Sequence, residues 1–298
     1  MGRDSGKVLV TGAGGFVGTA LCEQLKANGI AVLPGKRGVE LSPGMAIDAV
    51  LHLDARVHVM KETLGDSLSA YRDVNTQGTL NLARQAAVAG VQRFVFVSTV
   101  KVNGEGRLGV YSESDVPDPI DSYAISKWEA ERGLRDIATN YGMEIVIVRP
   151  PLVYGPGVKA NFLSMMHWLS RGVPLPLGAI HNKRSLVGLA NLVDLLITCL
   201  DHPAAANQTF LVSDGEDLST TELFVRMAAA LGKPARLIPV PGWMLTAGAS
   251  LLGKRDLSQR LCGSLWVDIS KAKSLLGWSP PVSVEEGLRA TAKHYLAQ

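Results

Sequence analysis

The chain has 298 residues, 47% of them hydrophobic, which suffices for one large α/β domain or a domain with a smaller lobe and excludes a disordered protein. Its formal net charge is only +3 and no run of Lys and Arg occurs, so we expect no nucleic-acid partner. The three cysteines, Cys22, Cys199 and Cys262, lack metal-ligand spacing and the six histidines form no cluster, so we predict no metal site.

The first predicted element is an apolar strand that runs into a glycine-rich turn and then into an amphipathic helix. Gly12 permits the tight turn, Gly15 lets the backbone approach a pyrophosphate, and Gly18 allows close packing of the helix. The spacing is Gly-x-x-Gly-x-x-Gly, and an ordinary strand–helix turn is the alternative interpretation. Amide groups at the start of a helix bind phosphates, so this turn predicts a dinucleotide site.

Strands and helices then alternate through the first half of the chain. Strands are predicted at 30–33, 49–53, 93–97 and 144–149, and helices at 73–89 and around 123–127. This alternation, with nearly continuous apolar strands, predicts an α/β fold with a doubly wound parallel (Rossmann) sheet. From Pro150 onward, prolines break the pattern, which indicates a smaller C-terminal lobe interleaved with the sheet. We therefore predict a dinucleotide-binding domain over 1–150 and a mainly substrate-binding lobe over 151–298.

A tyrosine and a lysine lie one helical turn apart on the helix at 123–127. Tyr123 and Lys127 are four residues apart, so they share one helix face. The charge of the lysine favours tyrosinate, which lowers the phenol pKa from its ordinary value of about 10. A hydroxyl from Ser98 or Thr99, at the end of the 93–97 strand, can bind the oxygen of a substrate. Together these groups predict proton transfer at an alcohol, coupled to hydride transfer.

These motifs resemble the extended short-chain dehydrogenase/reductase superfamily, and within it the NAD-dependent epimerase/dehydratase family that acts on nucleotide sugars. The matching segments are 11–18, 52–55, 74–75, 96–99, 123–127, 149–156 and 276–278. Segments 98–105 and 156–162 resemble a narrower branch of bacterial UDP-glucose 4-epimerase-like enzymes of surface-polysaccharide assembly. That branch includes 4-keto reductases that make UDP-N-acetylquinovosamine or UDP-N-acetylfucosamine.

The resemblance implies a role for each matched residue. Tyr123 is the acid/base, Lys127 lowers its pKa and holds the nicotinamide ribose, Thr99 hydrogen-bonds O4 of the sugar, and Ser98 lies near the nicotinamide. The cofactor is NADP or NAD, and the residues implied to bind it are Gly12, Gly15, Phe16, Val17, Gly18, Arg37, Leu53, Ala55, Asn75, Lys127 and Pro150. The residues implied to bind a UDP-sugar are Thr99, Lys101, Asn161, Arg184 and Arg260.

Several of these residues have plainer interpretations. A hydroxyl at a strand end, such as Thr99, often just satisfies backbone groups. Asn75 can be the cap of a helix, although the resemblance makes it a support of the active-site strand. Arg184 and Arg260 suit a diphosphate because a guanidinium binds it in bidentate fashion, but each can be an ordinary surface charge.

The segment at 30–48 departs from the family pattern because it is too short for the usual strands and helix. We expect this half of the sheet, on which the adenosine end of the cofactor rests, to be compressed or partly absent. No strand-end acid for the adenosine ribose is evident, and Lys36-Arg37 stands at that distance, which favours NADP over NAD. Glu40-Leu41 replaces the pair that lies near adenine in the family.

Asp54 is a second departure, because the family has a small alanine there, beside the cofactor phosphates. Its carboxylate would repel the pyrophosphate unless Arg56 or a turn amide compensates the charge. Either Asp54 points away from the cofactor or it weakens cofactor binding.

The function predicted first is an NAD(P)-dependent 4-keto reductase acting at C4 of a UDP-N-acetyl sugar, in surface-polysaccharide precursor synthesis. The alternative is a UDP-sugar 4-epimerase with bound NAD, because the same residues serve both reactions. A third hypothesis, motivated by Asp54 and the short 30–48 segment, is a catalytically silent dinucleotide sensor or scaffold. Dehydration is disfavoured, since Val100-Lys101 stands where dehydratases carry an acidic pair.

The chain begins without the charged and apolar regions of a signal peptide, so we expect a cytoplasmic protein. Its most apolar later stretch, 237–252, is interrupted by prolines and is short for a membrane span. We expect it to pack inside the C-terminal lobe, without stable membrane insertion. The resemblance also implies a homodimer formed through two packed helices.

Overall fold

The structure, a computed structural model, describes residues 7–57, 67–107, 109–251, 259 and 261–298. The strands are β1 (Lys7–Thr11), β2 (Ala31–Gly35), β3 (Ile47–His52), β4 (Arg93–Val97), β5 (Val110–Tyr111), β6 (Glu144–Arg149), β7 (Leu152–Tyr154), β8 (Arg184–Gly188), β9 (Thr209–Leu211), β10 (Asp217–Leu218) and β11 (Trp266–Val267). The α-helices are α1 (Phe16–Ala27), α2 (Ser67–Tyr71), α3 (Thr79–Val88), α4 (Ser122–Tyr141), α5 (Ala160–Ser170), α6 (Leu189–Asp201), α7 (Thr220–Ala230), α8 (Gly242–Leu251), α9 (Ser270–Leu276) and α10 (Val284–Leu296). A π-helix, Arg72–Gly78, joins α2 to α3, and 3₁₀ turns lie at Val100–Val102 and Pro203–Ala205.

Six strands form one parallel sheet in the order β2-β1-β3-β4-β6-β9. Successive side chains of a strand point to opposite faces, and both faces of this sheet are covered. Val8 and Val10 lie in the core that includes α1 and α6, whereas Leu9 lies in the core that includes α3 and α4. The same alternation places Val95 on the first face and Phe94 on the second. The prediction of a doubly wound parallel sheet is confirmed.

The first edge of the sheet is compressed, as the short 30–48 segment predicts. β2 is the one strand beyond β1, and the described residues 36–46 connect it to β3 without a helix. Leu41 takes over part of the packing of the missing helix, because its side chain is buried in the core beside α3. Its backbone N–H donates to Oε1 of Gln85 on α3, at 2.8 Å. Pro34 is tolerated in β2 because an edge strand has one side without ladder bonds.

The second half of the chain is interleaved with the sheet, in agreement with the sequence. β9 returns to pair with β6, while β7, β8 and β10 form a separate three-stranded sheet. A third core lies entirely within this half and is built from α5, α7 and α10, with Phe162, Phe224 and Leu288 among its members. The domain boundary at residue 150 stays a prediction.

Helix α8 corrects the expectation that the 237–252 stretch packs inside the lobe. Leu245 does contact the third core, but Trp243 is 71% exposed and Leu251 is 90% exposed. None of the side chains of α8 is fully buried. Across the part of the chain that the structure describes, we find no helix that combines the length and the apolar character needed to cross a membrane.

Candidate active site

The glycine-rich turn between β1 and α1 forms a cradle that excludes side chains. Gly12 has a φ of +69°, and a Cβ there would lie 2.9 Å from the backbone nitrogen of Asp54. A Cβ on Gly18 would collide with the carbonyl oxygen of Gly12, so Gly18 packs against the turn itself. Gly15 precedes α1 and its N–H donates to the Gly12 carbonyl at 2.9 Å. The turn therefore offers the first amides of α1 at close range, which fits a dinucleotide diphosphate.

Other residues predicted to bind the cofactor lie around the same turn. Phe16 and Val17 open α1 and pack against the core, so they offer their backbone amides to a ligand. Leu53 follows β3, and its N–H donates to the carbonyl of Thr11 at 3.3 Å. Ala55 lies two residues further along the same half-buried segment.

The carboxyl ends of four strands lie on one side of the sheet, and predicted site residues follow each of them. The glycine turn follows β1, 53–55 follow β3, Ser98 and Thr99 follow β4, and Pro150 follows β6. The carbonyl of Pro150 accepts from the N–H of Val100 at 3.0 Å, which joins two of these ends. In parallel sheets, ligands bind at the carboxyl ends of the strands. The topology therefore brings the predicted cofactor and catalytic segments together.

Lys127 is anchored at the carboxyl end of β4. Its Nζ donates to the carbonyl of Val97, the last residue of β4, at 2.8 Å and lies 4.2 Å from the ring centroid of Phe96. The side chain is almost fully buried. Burial lowers the pKa of Lys127 to about 7, although the charges of Glu131 and Asp54 act in the opposite direction.

Tyr123 precedes Lys127 by one turn of α4 and is half-buried. Its ring meets the ring of Tyr71 edge-on, with 6.2 Å between centroids. Burial raises the pKa of Tyr123 above its ordinary value, and the charge of Asp121 adds to this rise. The expected lowering of the Tyr123 pKa by Lys127 is therefore wrong. The reason is that desolvation disfavours both charged forms, ammonium and phenolate.

The lowered pKa of Lys127 predicts a pH-dependent stability. Between pH 7 and about pH 10 the unfolded chain keeps this lysine protonated while the folded protein releases the proton, so stability rises with pH there. Raising the pH from about 7 to about 9 should stabilise the wild type relative to Lys127→Met by about 2 kcal/mol. Urea denaturation of both proteins at both pH values measures this difference. Equal responses to pH would show that folding does not lower the pKa of Lys127.

A buried ion pair supports the strand end that carries Ser98 and Thr99, and sequence reasoning missed it. Glu131 on α4 is fully buried and accepts from Nε of Arg149, on β6, at 2.9 Å. The hydroxyl of Ser98 donates to the same carboxylate at 2.6 Å. Ser98 is thus held inside the protein, and its predicted catalytic role stays a prediction. The signal for Glu131 was its spacing, because it follows Lys127 by four residues on the same helix face.

Thr99 stands at the predicted position, with a side chain that caps the following 3₁₀ turn. Its Oγ1 accepts from the backbone N–H of Lys101 at 3.3 Å. This is the backbone-satisfying role that strand-end hydroxyls often have. The bond uses an acceptor site of the hydroxyl, so the O–H remains able to donate. Its contact with the sugar O4 stays a prediction.

A cavity of 270 Å³ lies beside the start of α4 and joins two of the predicted substrate residues. Lys101 and Arg184 both line it, together with Asp121 and Glu105. Nζ of Lys101 lies 2.7 Å from each of these two carboxylates. Arg184 donates from Nη1 to the carbonyl of Gly263 at 3.0 Å. The cavity thus offers two cations close to the helix of Tyr123.

Two predicted substrate residues are not placed in this cavity. Asn161 lies on the exposed first turn of α5 and is not among the described residues that line the cavity. Arg260 lies outside the residues that the structure describes. Their roles stay predictions.

Asn75 lies inside the π-helix, so the interpretation as a helix cap is wrong. It is fully buried, its Oδ1 accepts from the N–H of Arg56 at 2.8 Å, and its Nδ2 donates to the carbonyl of Arg56 at 3.1 Å. Nδ2 also donates to Oγ of Ser126 on α4, at 3.0 Å. Asn75 therefore ties the segment after β3 to α4, and its support of the active-site strand and its binding of the cofactor stay predictions. π-Helical turns are frequent at functional sites.

Asp54 is compensated, but not by Arg56. The guanidinium of Arg37 binds it in bidentate fashion, with Nε to Oδ2 and Nη2 to Oδ1 both at 2.9 Å. This pair lowers the pKa of Asp54, whose backbone lies against Gly12. Arg37, predicted to bind the cofactor, is therefore engaged with a carboxylate.

Comparison with known proteins agrees with this geometry. Residues 8–213 match the NAD dependent epimerase/dehydratase family. A UDP-glucose 4-epimerase of Vibrio cholerae is 46% identical over 312 residues, covering 97% of this chain and 95% of that relative. A UDP-glucose 4-epimerase of Thermotoga maritima, solved with UDP-glucose, shares the fold with a TM-score of 0.79 at 23% identity, over 98% and 99% of the two chains. MoeE5 in complex with UDP-glucose and NAD gives a TM-score of 0.76 at 25% identity, over 98% and 99%.

Proposed function

The chain belongs to the NAD dependent epimerase/dehydratase family, and from this premise we propose that it is a UDP-sugar 4-epimerase. Such an enzyme inverts the hydroxyl at C4 of the sugar. The observation that carries the redox part of the proposal is the contact of Lys127 with the end of β4, one turn of α4 from Tyr123, on the side of the sheet that also holds the glycine turn. The similarity to the Vibrio cholerae epimerase supports this reaction better than the 4-keto reductase that the sequence placed first. It also supports an enzyme over a silent sensor.

The cofactor is NAD or NADP, in keeping with the family, and it supplies the acceptor and donor of hydride. The turn at Gly12, Gly15 and Gly18 would hold its diphosphate, and Lys127 would hold the nicotinamide ribose. Asn75 keeps the segment after β3 in place against α4.

Tyr123 carries the proton chemistry. It would accept the proton of O4 while C4 is oxidised to the ketone and would return the proton to O4 while C4 is reduced again, the bound cofactor supplying the hydride chemistry. The sugar neither gains nor loses electrons over the full cycle. One ionisable side chain at O4, that of Tyr123, is therefore sufficient. The hydroxyl of Thr99 can hold O4 of the sugar by a hydrogen bond.

The negative charge of bound ligands would favour ionisation of Tyr123, through the protonation of Lys127. A diphosphate at the glycine turn adds negative charge near the buried edge and favours the protonated form of Lys127. A protonated Lys127, one turn from Tyr123, in turn favours the phenolate. The raised pKa of Tyr123 and its catalytic use are therefore compatible, because a bound diphosphate would change the charge around the pair.

The cavity of Lys101 and Arg184 supports a nucleotide-sugar substrate. Arg184 suits a diphosphate, which a guanidinium can bind in bidentate fashion, whereas the charge of Lys101 is balanced by Glu105 and Asp121. We propose two pairs of substrates. One is UDP-glucose and UDP-galactose, and the other is the pair of UDP-N-acetyl sugars that differ at C4, which the sequence resemblance favours. A cytoplasmic homodimer completes the proposal.

A purified sample tests this function directly. The protein with its cofactor should interconvert UDP-glucose and UDP-galactose, or the two N-acetylated 4-epimers, as followed by proton NMR of the anomeric signals. The absorbance of reduced nicotinamide should stay constant during turnover, because no net oxidation occurs. The protein would be a reductase instead if it interconverted neither pair but oxidised NADPH when a UDP-4-keto-6-deoxy sugar was added.

A further inference from the structure

We propose that the exposed face of α8, together with the extended segment before it, is a docking surface for a bilayer of anionic phospholipids. The protein lies on the bilayer through this surface without crossing it. The apolar residues of this α8 surface are Ile238, Trp243, Met244 and Leu251, and its cations are Arg171 and Arg236. The proposal goes beyond the sugar reaction and does not depend on which reaction the protein catalyses.

Helix α8 turns an apolar stripe towards solvent. With about 3.6 residues per turn, Trp243, Ala247 and Leu251 fall on one face of the helix. Met244 lies beside this face, and all four side chains are exposed. Leu245 lies on the opposite face and contacts the third core. Because a surface helix of a globular domain normally turns its apolar stripe to the core and its charged face to water, this arrangement requires a second apolar contact.

The segment before α8 extends the same surface. Leu237 forms a parallel bridge with Leu175, and the N–H of Ile238 donates to the carbonyl of Leu175 at 2.8 Å. Leu237 packs against the third core, so the alternation of an extended chain turns its neighbours Arg236 and Ile238 outward, where both are exposed. Arg171 lies on the paired segment and is exposed as well. Cations therefore adjoin the apolar stripe.

The charge around the α8 surface has one sign. The surface belongs to two stretches, 159–193 and 223–251, and neither contains an Asp or Glu, although the chain has 27 acidic residues. Anionic headgroups attract Lys and Arg that lie near them, so a negatively charged bilayer complements this surface. Trp243 suits the same location, because its ring is apolar while its indole N–H can donate at the level of the headgroups.

A second copy of the chain is a poorer occupant of the α8 surface. A two-fold interface brings the same patch of both copies together, so Arg171 and Arg236 would approach like charges with no acid nearby. A bilayer accepts the apolar stripe at its interface and pairs the cations with headgroups. These opposite electrostatic consequences select the lipid surface.

Docking would hold the cavity of Arg184 close to the headgroups. A Cβ on Gly242, the first residue of α8, would lie 3.9 Å from Sγ of Cys262. Gly263, the next residue, lines the cavity, and its carbonyl accepts from Nη1 of Arg184. The α8 surface and the cavity are therefore built on adjacent segments.

The experiment measures partition of the whole chain, with its cofactor, onto sedimented vesicles. Vesicles of equal parts phosphatidylglycerol and phosphatidylcholine should bind the wild type at least about tenfold more tightly than vesicles of phosphatidylcholine alone. The double variant Trp243→Ser and Leu251→Ser should lower the partition coefficient at least about tenfold, because it removes apolar area from the lipid contact. Arg236→Gln should lower it about fivefold on the anionic vesicles and leave it unchanged on the neutral ones.

Tyr141→Ser and Arg84→Gln are the matched controls. They change an exposed aromatic ring on α4 and an exposed arginine on α3, and both should partition as the wild type does. Thermal melting confirms that each variant is folded, and activity without vesicles should be unchanged in the double variant, so docking and the proposed reaction fail separately.

Three results would overturn the proposal. One is a wild type that does not bind the anionic vesicles, and another is unchanged binding by the folded double variant. The third is light scattering that shows a wild-type dimer becoming a monomer in the double variant, since a second copy would then cover the α8 surface.

Discussion

Replacing Tyr123 by Phe should lower kcat of the epimerisation by about 10³-fold, because general acid–base catalysis contributes about 10²- to 10⁴-fold. The ring keeps its packing against Tyr71, so the fold and the binding of cofactor should persist. Only the oxygen that exchanges the proton with O4 is lost. Turnover is followed by NMR of the sugar 4-epimers, and cofactor binding by calorimetry.

Tyr141→Phe is the control for this variant. Tyr141 ends the same helix, α4, but is 52% exposed. Its variant should keep the rate of the wild type. If Tyr123→Phe retained more than about a tenth of the wild-type rate, Tyr123 would not be the acid/base.

Replacing Glu131 by Gln should lower the free energy of unfolding by about 3–5 kcal/mol, since removing one partner of a buried ion pair leaves the other charge uncompensated. Arg149 is only 2% exposed, so water cannot replace the lost carboxylate. Ser98 loses its charged acceptor at the same time. Urea denaturation of the apoprotein measures the effect.

An exposed ion pair provides the comparison. Glu285 pairs with Arg226 at the surface and is 49% exposed, so Glu285→Gln should cost less than about 1 kcal/mol. Adding Arg149→Met to Glu131→Gln should cost less than the two single changes together, because the uncompensated charge is gone. Equal costs at Glu131 and Glu285 would contradict a buried, coupled pair.

Most of the candidate site was predictable because its residues act through local patterns. The glycines at 12, 15 and 18 mark a turn that side chains would block, and the four-residue spacing of Tyr123 and Lys127 places both on one helix face. Apolar runs placed the main strands, and the resemblance that these motifs carry is confirmed by the family match.

The roles of Thr99 and Ser98 show where local patterns end. Both lie at the predicted strand end, but one caps a 3₁₀ turn and the other donates to Glu131, 33 residues further along the chain. A hydroxyl binds whichever donor or acceptor the fold presents, so the partners of Thr99 and Ser98 follow from packing.

From its residues alone, this protein could be assigned a parallel doubly wound sheet, a dinucleotide turn and a tyrosine–lysine pair, because periodicity and short spacings encode them. Three properties required the folded chain: the buried pair of Glu131 and Arg149, the raised pKa of Tyr123, and the bond between Arg37 and Asp54. Each depends on burial or on contact between residues distant in sequence. The sequence does not show whether a charged side chain contacts water, a phosphate or another charge, because tertiary packing decides that contact.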